Sequence, residues 1–305
     1  MAGTGLQLHW TEAGAPPRLI PGAAMPIGAY LSGRPAEEAA VLLPRIFNVC
    51  AVTQRVAARL ALDLPPLPGE GQALHAEILR EHVLVFALRW PGHLGLSARP
   101  ELLHLAGEGL RAALFGPDPL PHTLTSFLDL LRNADAPGLA VLRRIEAQFG
   151  PGDAVCAPLP LAGTGDPFNG AACENSAAGR RGDHPLLSDI EGFYGRGPLW
   201  RATARALEAE ALAQGWQPRA RRRADGTAEV AAARGTYFCR ARCDAQGRVT
   251  EFARATPTDH GTAPEGPMHQ ALARLNTPTR ARVGLLLAIL DPCAPVAEQP
   301  EPAHA

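Results

Sequence analysis

Apolar residues recur at helical spacing through most of this 305-residue chain, and that spacing decides what it can fold into. The longest periodic stretch is "GQALHAEILREHVLVFALRW" (71–90), where His75, Leu79 and His82 fall three or four apart on one helix face. A helix is expected from "RPAEEAAVLL", with Pro35 early, acids in the first turn and Pro44 ending or kinking it. Thr53 is the expected N-cap of the next, "QRVAARLAL". Further helices are expected at 121–134, 136–150, 199–215, from Pro267, and over 277–290, just before Asp291-Pro292-Cys293.

The helical pattern fails in three places. Residues 1–35 are rich in Gly and Pro, with "LQLHW" alternating as an edge strand would. Residues 151–198 read as an irregular surface insert. "AEVAAARGTYFCRARC" (228–243) and "GRVTEFARA" (247–255) alternate as two strands joined through "DAQG". The expected fold class is mostly α with a small β-sheet (α+β), in a single domain spanning 1–305, with residues 294–305 as a flexible tail.

Composition narrows the chemistry. Hydrophobic residues make up 46% of the chain, enough for a substantial core. The net charge is -1 and the dense arginines are confined to Arg219–Arg223, which reads as a solvent-facing cluster; nucleic acid is not an expected partner. There is no lysine at all, which excludes a phosphate-binding Walker lysine and any Schiff-base chemistry. Every cation is an arginine, suited to binding and orienting rather than to proton transfer. Six cysteines in a chain this long do not make a disulfide framework. The N-terminus lacks a secretory pattern, and the longest apolar run, "VGLLLAIL" (283–290), is too short to span a bilayer. The expectation is a cytoplasmic protein with reduced thiols and no membrane partner.

Cys50 and Cys293 are the candidate metal ligands, although neither belongs to a CxxC pair, and two thiolates do not complete a structural zinc site. Cys239 and Cys243 lie on one strand, about 13 Å apart on the same face, and read as structural. His75 and His82 are about 10 Å apart along one helix and cannot form a metal pair. His184, Cys156 and Cys173 receive no role.

"LPRIFNVCAVTQR" resembles the N-terminal signature of nickel–iron hydrogenase large subunits, R-x-C-G-x-C-x-x-S-H-R. Arg45, Cys50 and Arg55 match. Phe47 stands where the first cysteine would be, Asn48 replaces the glycine, and Thr53 and Gln54 replace Ser-His. "DPCAPVAEQ" resembles the C-terminal D-P-C-x-x-C-x-x-H: Asp291, Pro292 and Cys293 match, while Val296 and Gln299 replace the second cysteine and the histidine. Between them, Arg234-Gly235 and Thr258 are similar to the family's Arg-Gly strand and its following P-T region, and the blocks keep their order across residues 30–299.

The resemblance implies a shortened large-subunit-like fold of the HupK/HoxV accessory type. Phe47 and Val296 cannot donate to a metal, so no nickel is expected and the protein is not expected to be an enzyme. What the resemblance implies instead is a scaffold in hydrogenase maturation. It would transiently hold the iron fragment with cyanide and carbonyl ligands through Cys50 and Cys293, with Arg234 and Asp291 beside that cargo. Its partners would be hydrogenase assembly factors and the immature large subunit. Two alternatives stand beside it: a metal-free chaperone that mimics the large subunit, and a degenerate electron-transfer or quinone-binding subunit related to complex I. Retention of Asp291-Pro292-Cys293 speaks against the last.

Overall fold

The computed structural model describes residues 5–10, 14–47, 49–133 and 135–299. In chain order, strands β1 (Leu6–His9) and β2 (Arg18–Pro21) precede helices α1 (Ile27–Leu31), α2 (Ala36–Ile46), α3 (Ala51–Ala61) and α4 (Glu70–Leu84). A π-helical turn, Val85–Arg89, joins α4 to α5 (Trp90–Leu94). Next come a 3₁₀ turn, Pro100–His104, and helices α6 (Gly107–Phe115), α7 (Leu124–Asn133), α8 (Pro137–Gln148), α9 (Ala177–Arg181), α10 (Pro185–Tyr194) and α11 (Pro198–Ala213). Strands β3 (Ala220–Arg222), β4 (Ala228–Ala232), β5 (Gly235–Cys243) and β6 (Val249–Ala255) form an antiparallel sheet in sequence order. Helices α12 (Pro257–Gly261), α13 (Pro267–Ala273) and α14 (Arg280–Leu290) lead to strand β7 (Val296–Gln299). The α+β expectation holds.

Two hydrophobic cores lie under these elements. One gathers the helices around α11, with Phe86, Trp90, Phe115 and Phe127 fully buried in it. The other packs α2, α3 and the start of α4 on the sheet β4–β6. Helix α11 is buried along most of its length, charges included. Each buried charge meets a partner far away in sequence: Arg201 with Glu174, Arg205 with Asp291, and Glu208 with both Arg180 and His82. Glu210 accepts the Leu120 N–H and faces Arg111. Buried charge persists only where it is paired in this way.

Several local expectations change. Residues 228–243 are two strands, not one: β4 and β5 form a tight hairpin in which Ala232 pairs with Gly235, leaving Ala233 and Arg234 at its tip. The tip carbonyls are satisfied by arginines, since Arg180 donates to Ala232 O (2.9 Å) and Arg205 to Ala233 O (3.3 Å). Helix α2 runs two residues past Pro44. Helix α3 starts two residues before Thr53, because Glu77 of α4 caps it from outside: its carboxylate accepts the N–H groups of Val52 (2.7 Å) and Thr53 (2.9 Å). β1 is not an edge strand but sits between β2 and β7.

The stretch 151–198 is not a surface insert throughout. It contains α9 and α10, and Leu186, Leu187 and Ile190 are fully buried. His184 caps α10, its ring accepting the Leu186 N–H (3.2 Å). The residues from 294, expected as a flexible tail, include β7, paired in parallel with β1 from Leu6↔Val296 onward. Residues 300–305 lie outside the described residues, as does Asn48.

Gly235 shows why the Arg-Gly pair needs its glycine. Its φ is +154°, and a Cβ there would collide with both the main-chain and side-chain oxygens of Asn175. Asn175 in turn pairs with β5 as a strand would: its Oδ1 accepts the Thr236 N–H (2.5 Å) and its Nδ2 donates to Thr236 O (2.9 Å). Gly235→Ala is expected to lower unfolding free energy by about 2–4 kcal/mol, read from urea unfolding. A change within error would mean that Asn175 can move aside.

Candidate functional site

The two candidate cysteines reach one place from opposite ends of the chain. Cys50 is the N-cap residue of α3 and takes the left-handed conformation (φ 56°). The loop before it is stitched by Gln54, which donates to the carbonyls of Phe47 (2.8 Å) and Val49 (2.5 Å). Gln54 thus holds the loop, from the position at which the resemblance has a histidine. Cys293 follows α14, which ends as Asp291 turns left-handed (φ 48°) ahead of Pro292. Thr258 of α12 clasps Cys293 twice: it accepts the Cys293 N–H (2.7 Å) and donates to Sγ (2.8 Å).

Both cysteines line one cavity of about 380 Å³, together with Phe47, Gln54, Arg234 and Arg254. Arg234, at the hairpin tip, is buried; its Nη1 donates to Cys50 Sγ (3.4 Å). Its remaining charge is already met: Nη2 lies 3.3 Å from Glu81 and Nε 3.2 Å from Asp291. Asp291 does not open into the cavity as a free group, for its carboxylate also pairs with Arg205 (2.8 Å) and Arg89 (3.6 Å). Arg89 belongs to the π-helical turn, a feature that re-aims side chains within a helix.

The charges follow from this arrangement. Burial drives the Cys50 thiol up to about 12, against the pull of Arg234. Burial would raise Asp291 too, but Arg205 and Arg234 outweigh it and hold the carboxyl below its usual range. At neutral pH the cavity therefore presents Cys50 as a protonated thiol, so a metal must displace its proton to bind. Among the described residues, no cluster of three or more His, Cys, Asp or Glu is arranged to hold a metal ion.

Both positions that resemble lost ligands have joined the fold. The ring of Phe47 carries the Arg254 guanidinium at 3.7 Å from its centroid. Val296 opens β7 and packs against the helical core. Of the pair read as structural, Cys239 is fully buried in the core beneath the sheet, whereas Cys243 is exposed at the end of β5, past an irregularity in the ladder. His82 is fully buried against Glu208, and His75 bonds to Leu212 O; both are packing residues. Sequence reasoning missed Glu81, Arg89, Arg205 and Arg254. They lie on four different elements, with no shared motif to reveal them.

The fold resembles hydrogenase large-subunit structures. The [NiFeSe] hydrogenase of D. vulgaris Hildenborough in its reduced state superposes with a TM-score of 0.60 at 15% identity, covering 93% of this chain and 94% of that one. An NAD+-reducing [NiFe]-hydrogenase in the H2-reduced state gives 0.52 at 20% identity, with 93% and 94% covered. At these identities the likeness establishes the fold. No family model matches the chain. A curated relative does: the hydrogenase expression/formation protein HupK of Rhodobacter capsulatus is 43% identical over 289 residues, 94% of each protein. The chain belongs to the HupK family of hydrogenase expression/formation proteins.

Thiol reactivity offers a direct check of the site. With burial pushing both Cys50 and Cys239 up to about 12, iodoacetamide at pH 8 is expected to label exposed Cys243 first, Cys50 more slowly and Cys239 last, as read by peptide mass spectrometry. The same shifts set a pH dependence. The folded chain keeps these protons above the ordinary thiol value of 9.0, so the stability they contribute is complete below pH 9 and is lost as pH rises towards 12.

Proposed function

We propose that this chain is a hydrogenase maturation accessory protein that transiently carries the iron fragment with cyanide and carbonyl ligands, ahead of nickel insertion into the large subunit. One observation carries the reading. Cys50 and Cys293, 243 residues apart in sequence (293 − 50), line the same cavity, with Arg234 donating to the first. Two thiols give weaker retention than a closed four-thiolate site, which suits a protein that must release what it holds. The partners of this reading are hydrogenase assembly factors and the immature large subunit. The place of action is the cytoplasm, and no described helix is long and apolar enough to cross a membrane.

A second reading has its own support. Arg234 is already paired with Glu81 and Asp291, which leaves less of its charge for an anionic cargo. On that reading the chain is a metal-free chaperone that mimics the large subunit for other assembly factors. Infrared spectra of protein isolated from cells with an intact assembly pathway separate the two: cyanide and carbonyl stretches are expected for the carrier and none for the chaperone.

Cys50→Ala and Cys293→Ala are each expected to abolish support for hydrogenase maturation in a complemented deletion strain. Each should cost only about 1–2 kcal/mol of stability, since one sulfur atom is removed. Full maturation with the double variant would reject metal carriage and favour the chaperone. Purified protein is expected to show no hydrogen uptake or evolution, because Phe47 and Val296 supply no ligand; turnover in a preparation free of hydrogenase would refute this.

A further inference from the structure

Arg254 is a cation at the cavity that the reading above leaves unused. It lies on β6 directly across from Cys239, so its side chain shares a sheet face with Cys239 and with Tyr237 two residues along β5. It lines the cavity with Cys50, Cys293 and Arg234. Among the described residues its guanidinium makes no ion pair with a carboxylate. Asp259 also lines the cavity and is near enough to be felt, but one of its carboxylate oxygens, Oδ2, is taken by the Thr256 N–H and hydroxyl, both at 2.8 Å. Arg254 is held between the Tyr237 side chain and the face of Phe47, the latter 3.7 Å from ring centroid to guanidinium carbon.

Phe47 stands where the resembling signature has a cysteine. That replacement therefore does more than delete a ligand. A position that would carry a thiolate's negative charge instead holds a cation, parked flat against an aromatic ring. A bare divalent ion entering the cavity meets a guanidinium that no carboxylate touches at ion-pair distance, although Asp259 also lines the wall. An anionic complex meets a donor fork on Arg254 and a second guanidinium, Arg234, in the same lining.

The geometry points to Arg254 as the cargo-selecting residue of this cavity: held on Phe47, it receives the anionic ligands of a metal–cyanide fragment and disfavours bare nickel. This rests on the carrier reading for the identity of the cargo, but its test does not need the thiols. Hexacyanoferrate(II) is a saturated anionic complex that cannot take a thiolate ligand, so its binding reports on the arginine wall alone.

Isothermal titration of the purified chain with hexacyanoferrate(II) is expected to show binding that weakens with salt. Arg254→Gln should weaken it about ten- to a hundredfold. Phe47→Leu, which keeps the charge and removes its platform, should fall between the two. Titration with nickel(II) alone should show tighter binding to Arg254→Gln than to the parent. Circular dichroism and melting curves establish that each variant is folded; should Arg254→Gln not fold, Arg254→Lys and Phe47→Leu take its place.

Equal binding of the anion by parent and folded arginine variants would overturn the proposal, as would no binding by the parent. Failure here with cyanide and carbonyl bands present in cell-derived protein would remove Arg254 and leave the carrier. Anion binding through Arg254 without such bands would remove the carrier and leave the anion site.

Discussion

Asp291 is the residue on which the geometry of the cavity depends. Its carboxylate meets Arg205 of α11, Arg89 of the π-helical turn and Arg234 of the β4–β5 hairpin. Those elements belong to different parts of the fold, and the same aspartate ends α14 and delivers Cys293 two residues later. One buried anion thus ties the helical core to the sheet at the point where both thiols converge. Isolated, it would be costly to bury; surrounded by three guanidiniums, it stays ionised. Removing it would leave Arg205 and Arg234 facing each other without their shared counter-charge. The Asp-Pro-Cys order has a physical reason: the aspartate supplies the hub and tolerates the left-handed turn, the proline stops the helix, and the cysteine arrives in position.

Much of the fold was legible where it rests on local pattern. The helical spacing placed α4, α8, α11 and α14, because apolar periodicity and flanking Pro and Gly are written in consecutive residues. The errors share one cause. Thr53 was a reasonable cap until Glu77, 24 residues away, supplied a better one. The β4–β5 turn was hidden because Ala233-Arg234 is not a usual hairpin pair; its carbonyls are held by arginines from α9 and α11. The spacing places helix α11 but not its burial: its charges are matched by partners 27 to 126 residues distant. Partners at such range leave no trace in a single sequence.

The candidate site divides in the same way. Cys50, Cys293, Arg234 and Thr258 were legible only through resemblance, since composition and spacing leave lone cysteines indistinguishable from core filler. The structure places all four around one cavity. Resemblance could not find Glu81 or Arg89, which lie outside the blocks it rests on, and it assigned Arg254 no role. Nor could it show that Arg234 arrives with its charge largely spoken for by two carboxylates.

The departures from the signature fit a fold that has been refitted around them rather than left with gaps. A cysteine lost to a small residue would leave a void, and unfilled volume costs stability. Here Phe47 packs against the sheet-side core and supports a cation, and Val296 packs against the helical core while opening a strand. β7 then anchors the segment after Cys293 to β1 near the N-terminus. The thiols that remain sit where α3 begins and α14 ends, each held by hydrogen bonds from side chains distant in sequence: Arg234 donates to Cys50 and Thr258 to Cys293.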